Sequence, residues 1–268
     1  MRLYKMDNLF KTGVRPLVDA YLLEKAKEVR DYGDYWSASS AGYCMRKNIF
    51  DRLGVPKVET DSDARLQRVF EMGHLVHEWM QRITKNAGLS VAQEVELIDD
   101  DLMIKGHFDD LIKTEDGLIL YDYKSVNSQS FKYKKDKMSH YHTMQLGTYM
   151  YMWRNPDVWL PKNDWLLMKK DLTEARILNI SKDDLRQAEM QLLWTPALEK
   201  QVFEYWSTLN GYWKAHQIPK CTCADYEINS KTGVGFMADE RYNPYFYEGE
   251  PCSLRWFEKC KKEGLLKV

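Results

Sequence analysis

The stretch GLILYDYKSV, residues 117 to 126, limits what this chain can fold into more than any other. Leu118, Ile119, Leu120, Tyr121 and the closing Val126 read as a strand apolar enough to be buried. Asp122 and Lys124 interrupt that run two residues apart. Side chains at i and i+2 of a strand point to the same face, so this carboxylate and ammonium stand side by side on a mostly apolar element. Three arrangements accommodate them: a solvated pair on an edge strand, a buried ion pair, or a reactive centre. The flanking residues must decide.

Upstream, residues 63 to 86 carry Leu66, Val69, Phe70, Gly73, Val76, Met80 and Ile83 at three-four spacing. That predicts a helix with one buried face and His77 beside it. SVAQEVELI, the acidic turn at 99 to 101, LMIKGHFDDLIK and the Asp116-Gly117 turn then predict an antiparallel meander that ends in the 117–126 strand. Downstream, HTMQLGTYMYMWR reads as a helix ending before Asn155-Pro156, and DWLLMKKDL and ARILNI as two more strands. Ser181 with Asp184 resembles a capping box, which predicts a long helix broken at Pro196 and resumed to about His216. At the other end the first 35 residues read as a polar helical region anchored by Leu17, Ala20, Tyr21 and Leu22. Ser39 or Ser40 is the expected cap of a short helix ending at Gly54, and the last fifty residues read as irregular.

Composition limits the class. The chain has 268 residues, 44% hydrophobic and 29% charged, as a globular protein does. Lys plus Arg total 39 and Asp plus Glu total 40, so net charge does not select a partner. FKYKKDKM, residues 131 to 138, is the best local basic run, although such runs are more often solvated faces. No apolar run is long enough to span a membrane, and MRLYKMDNLF lacks the layout of a secretory signal. The expectation is a cytoplasmic protein with no membrane partner. Five cysteines, an odd number, argue against a disulfide framework.

The meander gives the Asp122–Lys124 pair its chemistry. Asp109 lies near the end of the second strand, and a hairpin joins that strand to the one carrying Asp122, so the two carboxylates can approach across the sheet. Unpaired, they would repel and one would protonate. A divalent cation removes the conflict, and oxygen ligands suit Mg²⁺ or Mn²⁺. Lys124 would then stand one step from the metal, placed to orient a water and offset charge on a phosphate.

GHFDD followed by DYK resembles the PD-(D/E)xK nuclease superfamily. GHLVH, Gly73 to His77, in the helix before the sheet resembles the G-x-x-x-H of its RecB-like branch. QLGTY, Gln145 to Tyr149, in the helix after it is similar to that branch's Q-x-x-x-Y. Taken singly, His77 reads as a satisfied core histidine and QLGTY as helix packing. Four motifs in this order are far more specific. The resemblance implies a restriction-endonuclease-like core, a central mixed sheet flanked by helices. It implies that His77, Asp109, Asp122 and the backbone carbonyl of Tyr123 hold Mg²⁺ or Mn²⁺. Lys124 would position the attacking water, and Gln145 and Tyr149 would support Lys124 and the substrate. Glu71 and Glu94 rank below these as ligands, because Glu71 should face away from His77 and Glu94 reads as a surface strand residue.

The cysteines extend the likeness to the CRISPR-associated exonucleases and the AddB nuclease domain, which often carry a 4Fe–4S cluster. Cys44, with Arg46 behind it, resembles the upstream ligand, and Cys252 and Cys260 resemble the closing pair. Of Cys221 and Cys223, in C-x-C, only one is needed. The alternative is a structural zinc site of the four C-terminal cysteines, with Cys44 a buried thiol.

The expected organisation is an N-terminal helical segment over 1–60 contributing Cys44, a nuclease core over 61–180, and C-terminal helices with a Cys-rich module over 181–268. Both chain ends would be stapled to the core by the thiolate metal. The expected function is metal-dependent DNA exonuclease activity on single strands or DNA ends. DNA is the expected partner, with a homo-oligomer or other DNA-processing proteins beside it. A catalytically silent DNA-binding or assembly subunit of the same fold is the alternative, and a metal-stapled interaction protein a third reading that leaves Asp122 and Lys124 unexplained.

Overall fold

A computed structural model describes residues 14–25, 33–58, 63–134, 138–154, 172–223, 227–228, 235–236, 245, 247–248, 250 and 252–266. The predicted meander forms its centre. Strands β2 (Ser90–Asp99), β3 (Ile104–Lys113) and β4 (Leu118–Val126) run antiparallel, joined by the two predicted turns. In the first turn the Asp99 carboxylate accepts the Leu102 N–H at 2.8 Å. Short β1 (Trp36–Ser37) lies parallel to β3. On the other side β4 pairs in parallel with β5 (Glu174–Ser181), and β5 pairs antiparallel with β6 (Gln187–Leu193). The result is a six-stranded mixed sheet.

Helices cover both faces. Val76 and Met80 of α3 (Asp63–Asn86) pack on Tyr123, Leu178 and Ile180. The opposite face carries Leu111, Leu120 and Ile177 and packs against α5 (His140–Arg154) and α6 (Pro196–Lys214). Two glycines permit close approaches on that side. A Cβ on Gly106 would lie 2.6 Å from the Ala38 Cβ and 3.0 Å from the Tyr149 ring, and one on Gly147 would lie 2.9 Å from Leu198. Short α4 (Ser128–Lys134) follows β4, with Phe131 buried while Lys132 and Tyr133 of the basic run are exposed.

Several expectations are corrected. Residues 181 to 193 form a β-hairpin instead of a helix: Leu185 N–H returns to the Ser181 carbonyl, and β6 alternates outward polar with inward apolar residues, a period of two that pairing with β5 exploits. Pro196 does not break a helix. It opens α6, and Thr195 caps that helix by accepting the Leu198 N–H. Cys44, not Ser39 or Ser40, holds the N-cap position of α2 (Met45–Arg52); Ser40 instead donates to the Ser37 carbonyl. On α1 (Val14–Lys25) Leu22 is buried and Ala20 partly so, but Leu17 and Tyr21 are exposed. Val69 and Phe70 of α3 are exposed too, because the early turns of that helix meet α1 through Arg68–Asp19 and Lys25–Glu71 ion pairs rather than the sheet, and Ile83 near its other end is also exposed. The C-terminal fifty residues are more regular than expected: strands Glu227–Ile228 and Gly235–Phe236 pair as β7 and β8, and Ser253 caps α7 (Leu254–Lys262). The expected strand DWLLMKKDL lies outside the described residues except for the buried Leu172.

Candidate active site and thiolate centre

The β3–β4 ladder runs from Lys113↔Leu118 to Asp110↔Tyr121 and stops there, while β4 continues beside β5 to Val126. The strands therefore fork at Asp109 and Asp122. In place of a ladder bond, the Asp109 carboxylate accepts the Tyr123 backbone N–H at 2.6 Å. From α3, one turn after Gly73, His77 brings its Nδ1 to 3.3 Å from the same Asp109 oxygen. Gln81, one turn further on, donates to the Asp109 carbonyl at 3.1 Å and to Glu94 at 2.7 Å. Glu94 itself has a left-handed backbone, with φ at 50°, where the β2–β3 pairing skips it. A strained residue beside a reactive centre is a recurrent association.

Asp122 holds the other prong. Its side chain is only 3% exposed, and Lys124 Nζ stands 3.1 Å from Oδ1 and 2.8 Å from Oδ2. The contact with Oδ2 is a charge contact without hydrogen-bond alignment, so that buried oxygen has no hydrogen-bond partner. From α5, Gln145 donates to Asp122 Oδ1 at 3.2 Å and to the Tyr149 hydroxyl at 3.3 Å. Gln145 and Tyr149 are both buried; Gln145 reaches Asp122, the partner of Lys124, and the Tyr149 hydroxyl accepts from Gln145. Tyr149 touches β3 through the space that Gly106 leaves.

The charges polarise the site. Burial alone would lower the Lys124 pKa, but Asp122 and Asp109 outweigh it and hold the ammonium above its ordinary value. Burial likewise opposes charge on His77, and Asp109, with Asp122 behind it, raises its pKa nonetheless. The Tyr123 phenol is pushed up by burial and then by Asp110, so it remains a donor. Buried Asp122 Oδ2 without a hydrogen bond, a second carboxylate and an imidazole make a donor set that fits a hard divalent cation. Of the lower-ranked acids, Glu71 is engaged with Lys25 and Glu94 with Gln81.

The thiols gather elsewhere. Sγ atoms of Cys44, Cys221, Cys223 and Cys252 all lie within 4.8 Å of one another. Cys44 approaches Cys221 at 3.9 Å, and Cys223 approaches Cys252 at 3.5 Å. Contact with the neighbouring thiols, Cys221 foremost, holds the Cys44 thiol below its ordinary range and pushes the Cys223 thiol above it. Arg46 ties the segments together by donating to the Pro219 and Cys252 carbonyls. Both halves of the C-x-C therefore belong to the group. Cys260 is not among the four: it lies buried in α7, within the apolar cluster that also holds Cys44 and Cys252. Thiolates at this spacing can hold a metal centre.

The PD-(D/E)XK nuclease superfamily model matches residues 87–224, just over half of the chain. The chain belongs to the PD-(D/E)XK nuclease superfamily. No curated protein sequence matches this nuclease-superfamily chain. Similar solved structures include LHK-Exo in complex with dAMP, at 16% identity and TM-score 0.47 over 69% of this chain and 90% of that one. A second structure of LHK-Exo, an alkaline exonuclease from Laribacter hongkongensis, matches at 14% identity and TM-score 0.45, over 68% and 89%. A phage-related exonuclease from Haemophilus somnus 129PT matches at 14% and TM-score 0.41, over 74% and 81%. In this superfamily member, residues outside the motifs also converge on the fork. Asp110 and Gln81 escaped the sequence reading; the doubled aspartate of GHFDD was the one available signal for the former.

Proposed function

We propose that this protein is a divalent-cation-dependent DNA exonuclease of the RecB-like type, acting on single strands or DNA ends. The observation that carries the reading is the buried Asp122 oxygen without a hydrogen bond, beside Lys124 and across the strand fork from Asp109 and His77. His77, Asp109, Asp122 and the Tyr123 carbonyl would hold Mg²⁺ or Mn²⁺, with Glu94 and Glu71 left to their present partners. When bound, the cation would polarise a phosphate and make water a better nucleophile. Lys124 orients that water and offsets charge that develops on the phosphate oxygens. Gln145, braced by Tyr149, keeps the Asp122 carboxylate turned toward the fork. The preference for single strands or ends, and DNA as the substrate, rest on the RecB-like resemblance.

The four thiolates would hold a second metal that fastens the C-terminal segments to α2, away from the chemistry. The resemblance favours a 4Fe–4S cluster. One observation favours zinc: the 3.9 Å and 3.5 Å sulfur contacts are close to the roughly 3.8 Å edge of a tetrahedron with metal–sulfur bonds of about 2.3 Å. Brown protein containing iron and acid-labile sulfide supports the cluster; colourless protein with one zinc per chain supports the ion.

The test of the main reading uses end-labelled single- and double-stranded DNA with Mn²⁺, Mg²⁺ or EDTA. Metal-dependent release of terminal nucleotides is the expected result. Binding without cleavage under every metal condition would instead identify a silent DNA-binding subunit.

A further inference from the structure

We propose that Asp110 is a positioning residue for the divalent-cation fork, a role that rests on the nuclease reading of that fork. Asp110 is fully buried. Its Oδ1 accepts the Ser90 hydroxyl at 2.5 Å, and its Oδ2 accepts Thr84 Oγ1 at 2.6 Å, the Tyr123 phenol at 3.0 Å and Gln93 Nε2 at 3.2 Å. Both oxygens are thus engaged, three of the four donors on Oδ2. Its ladder partner is Tyr121, which turns it away from the Asp122–Lys124 side of the sheet.

A buried carboxylate is a poor device for stability alone. Removing a charge from water is unfavourable, and an apolar residue fills the same space without that penalty. The identity of its donors shows what it does achieve. They come from α3, β2 and β4, and each is one bond or one short segment from a group at the fork. Tyr123 is held by its hydroxyl to Asp110 and gives its backbone N–H to Asp109. Thr84 is on the helix that carries His77. Gln93 also donates to the Gln81 carbonyl, and Gln81 donates to the Asp109 carbonyl. Asp110 thus links the three elements that place His77, Asp109 and Tyr123, and touches neither cation nor DNA itself. Such outer partners typically govern metal affinity by about ten- to a hundred-fold.

The test measures Mn²⁺ binding to the protein as purified, without DNA, by calorimetry and by the Mn²⁺ electron paramagnetic resonance signal. Asp110→Asn keeps volume but alters the acceptor. Tyr123→Phe removes one donor, keeps the backbone amide, and stands in if Asp110→Asn does not fold. Leu209→Ala, buried in the later turns of α6, is the control for destabilisation. Measurements are made well below the lowest Tm. The expected result is Mn²⁺ affinity lowered about ten- to a hundred-fold in Asp110→Asn and less in Tyr123→Phe, with kcat reduced and KM for DNA unchanged. Leu209→Ala should bind Mn²⁺ as the wild type does. Unchanged Mn²⁺ affinity in the Asp110 and Tyr123 variants, or an equal loss in Leu209→Ala, overturns the positioning role while leaving the fork reading intact. Wild-type protein that binds no Mn²⁺ overturns the fork reading, and the positioning role with it.

Discussion

The strand fork and the thiol group are both polar centres, and they are assembled in opposite ways. His77, Asp109, Asp122, Lys124, Gln145 and Tyr149 lie on regular elements, α3, β3, β4 and α5, adjacent in sequence and directly packed. Their relative positions follow from ladder register and helix packing. The thiols come from opposite ends of the chain, from a helix N-cap and from segments with little regular structure. A centre built on a rigid scaffold can place groups for chemistry without a metal to organise it. A centre built on loops needs its metal to exist, since structural thiolate sites contribute binding energy to folding.

That contrast predicts unlike responses to mutation. Cys44→Ser or Cys252→Ser should cause the largest loss of stability, because metal binding at such sites contributes on the order of 10 kcal/mol to folding. Thermal melts should show a large fall in Tm and loss of bound metal, while cleavage below that Tm survives better than in Lys124→Ala. Cys260→Ala should retain the metal in full. Equal metal loss in Cys260→Ala would place it among the ligands and break the four-thiol assignment. Next comes Lys124→Ala, expected to lower kcat by about a hundred- to a thousand-fold with a small change in Tm. Gly106→Ala sharpens the scaffold side: the new Cβ meets Ala38 and Tyr149, so destabilisation of about 1–3 kcal/mol is expected by denaturant titration. The smallest effect belongs to Tyr149→Phe. It removes one acceptor from Gln145, which is worth about 1 kcal/mol, so kcat should fall less than tenfold in steady-state assays.

The same contrast explains what could be read from the residues alone. The fork was legible because a meander with short turns leaves little freedom of register, so Asp109 had to approach Asp122. Gln145 and Tyr149 were legible as a helical i, i+4 pair, while the contact of Gln145 with Asp122 also depends on how α5 is seated, which the Gly106 and Gly147 approaches permit. Asp110 was hidden because its partners come from three elements and share no local pattern. The 181–193 hairpin was missed because Ser181 and Asp184 mimic a helix cap, while the alternation of QAEMQLL acts only once β5 is beside it. Membership of the thiol group could not be read from spacing, because C-x-C and the distant Cys252 meet through tertiary packing alone.

The central claim is that Lys124 stands in its apolar strand for chemistry. The most direct measurement is single-turnover cleavage of end-labelled DNA by wild type and Lys124→Ala, with circular dichroism and Mn²⁺ binding measured on both. A folded, Mn²⁺-binding Lys124→Ala protein that cleaves about a hundred-fold or more slowly is the predicted result. Cleavage at the wild-type rate by that variant would contradict the account and reduce the Asp122–Lys124 pair to a buried ion pair.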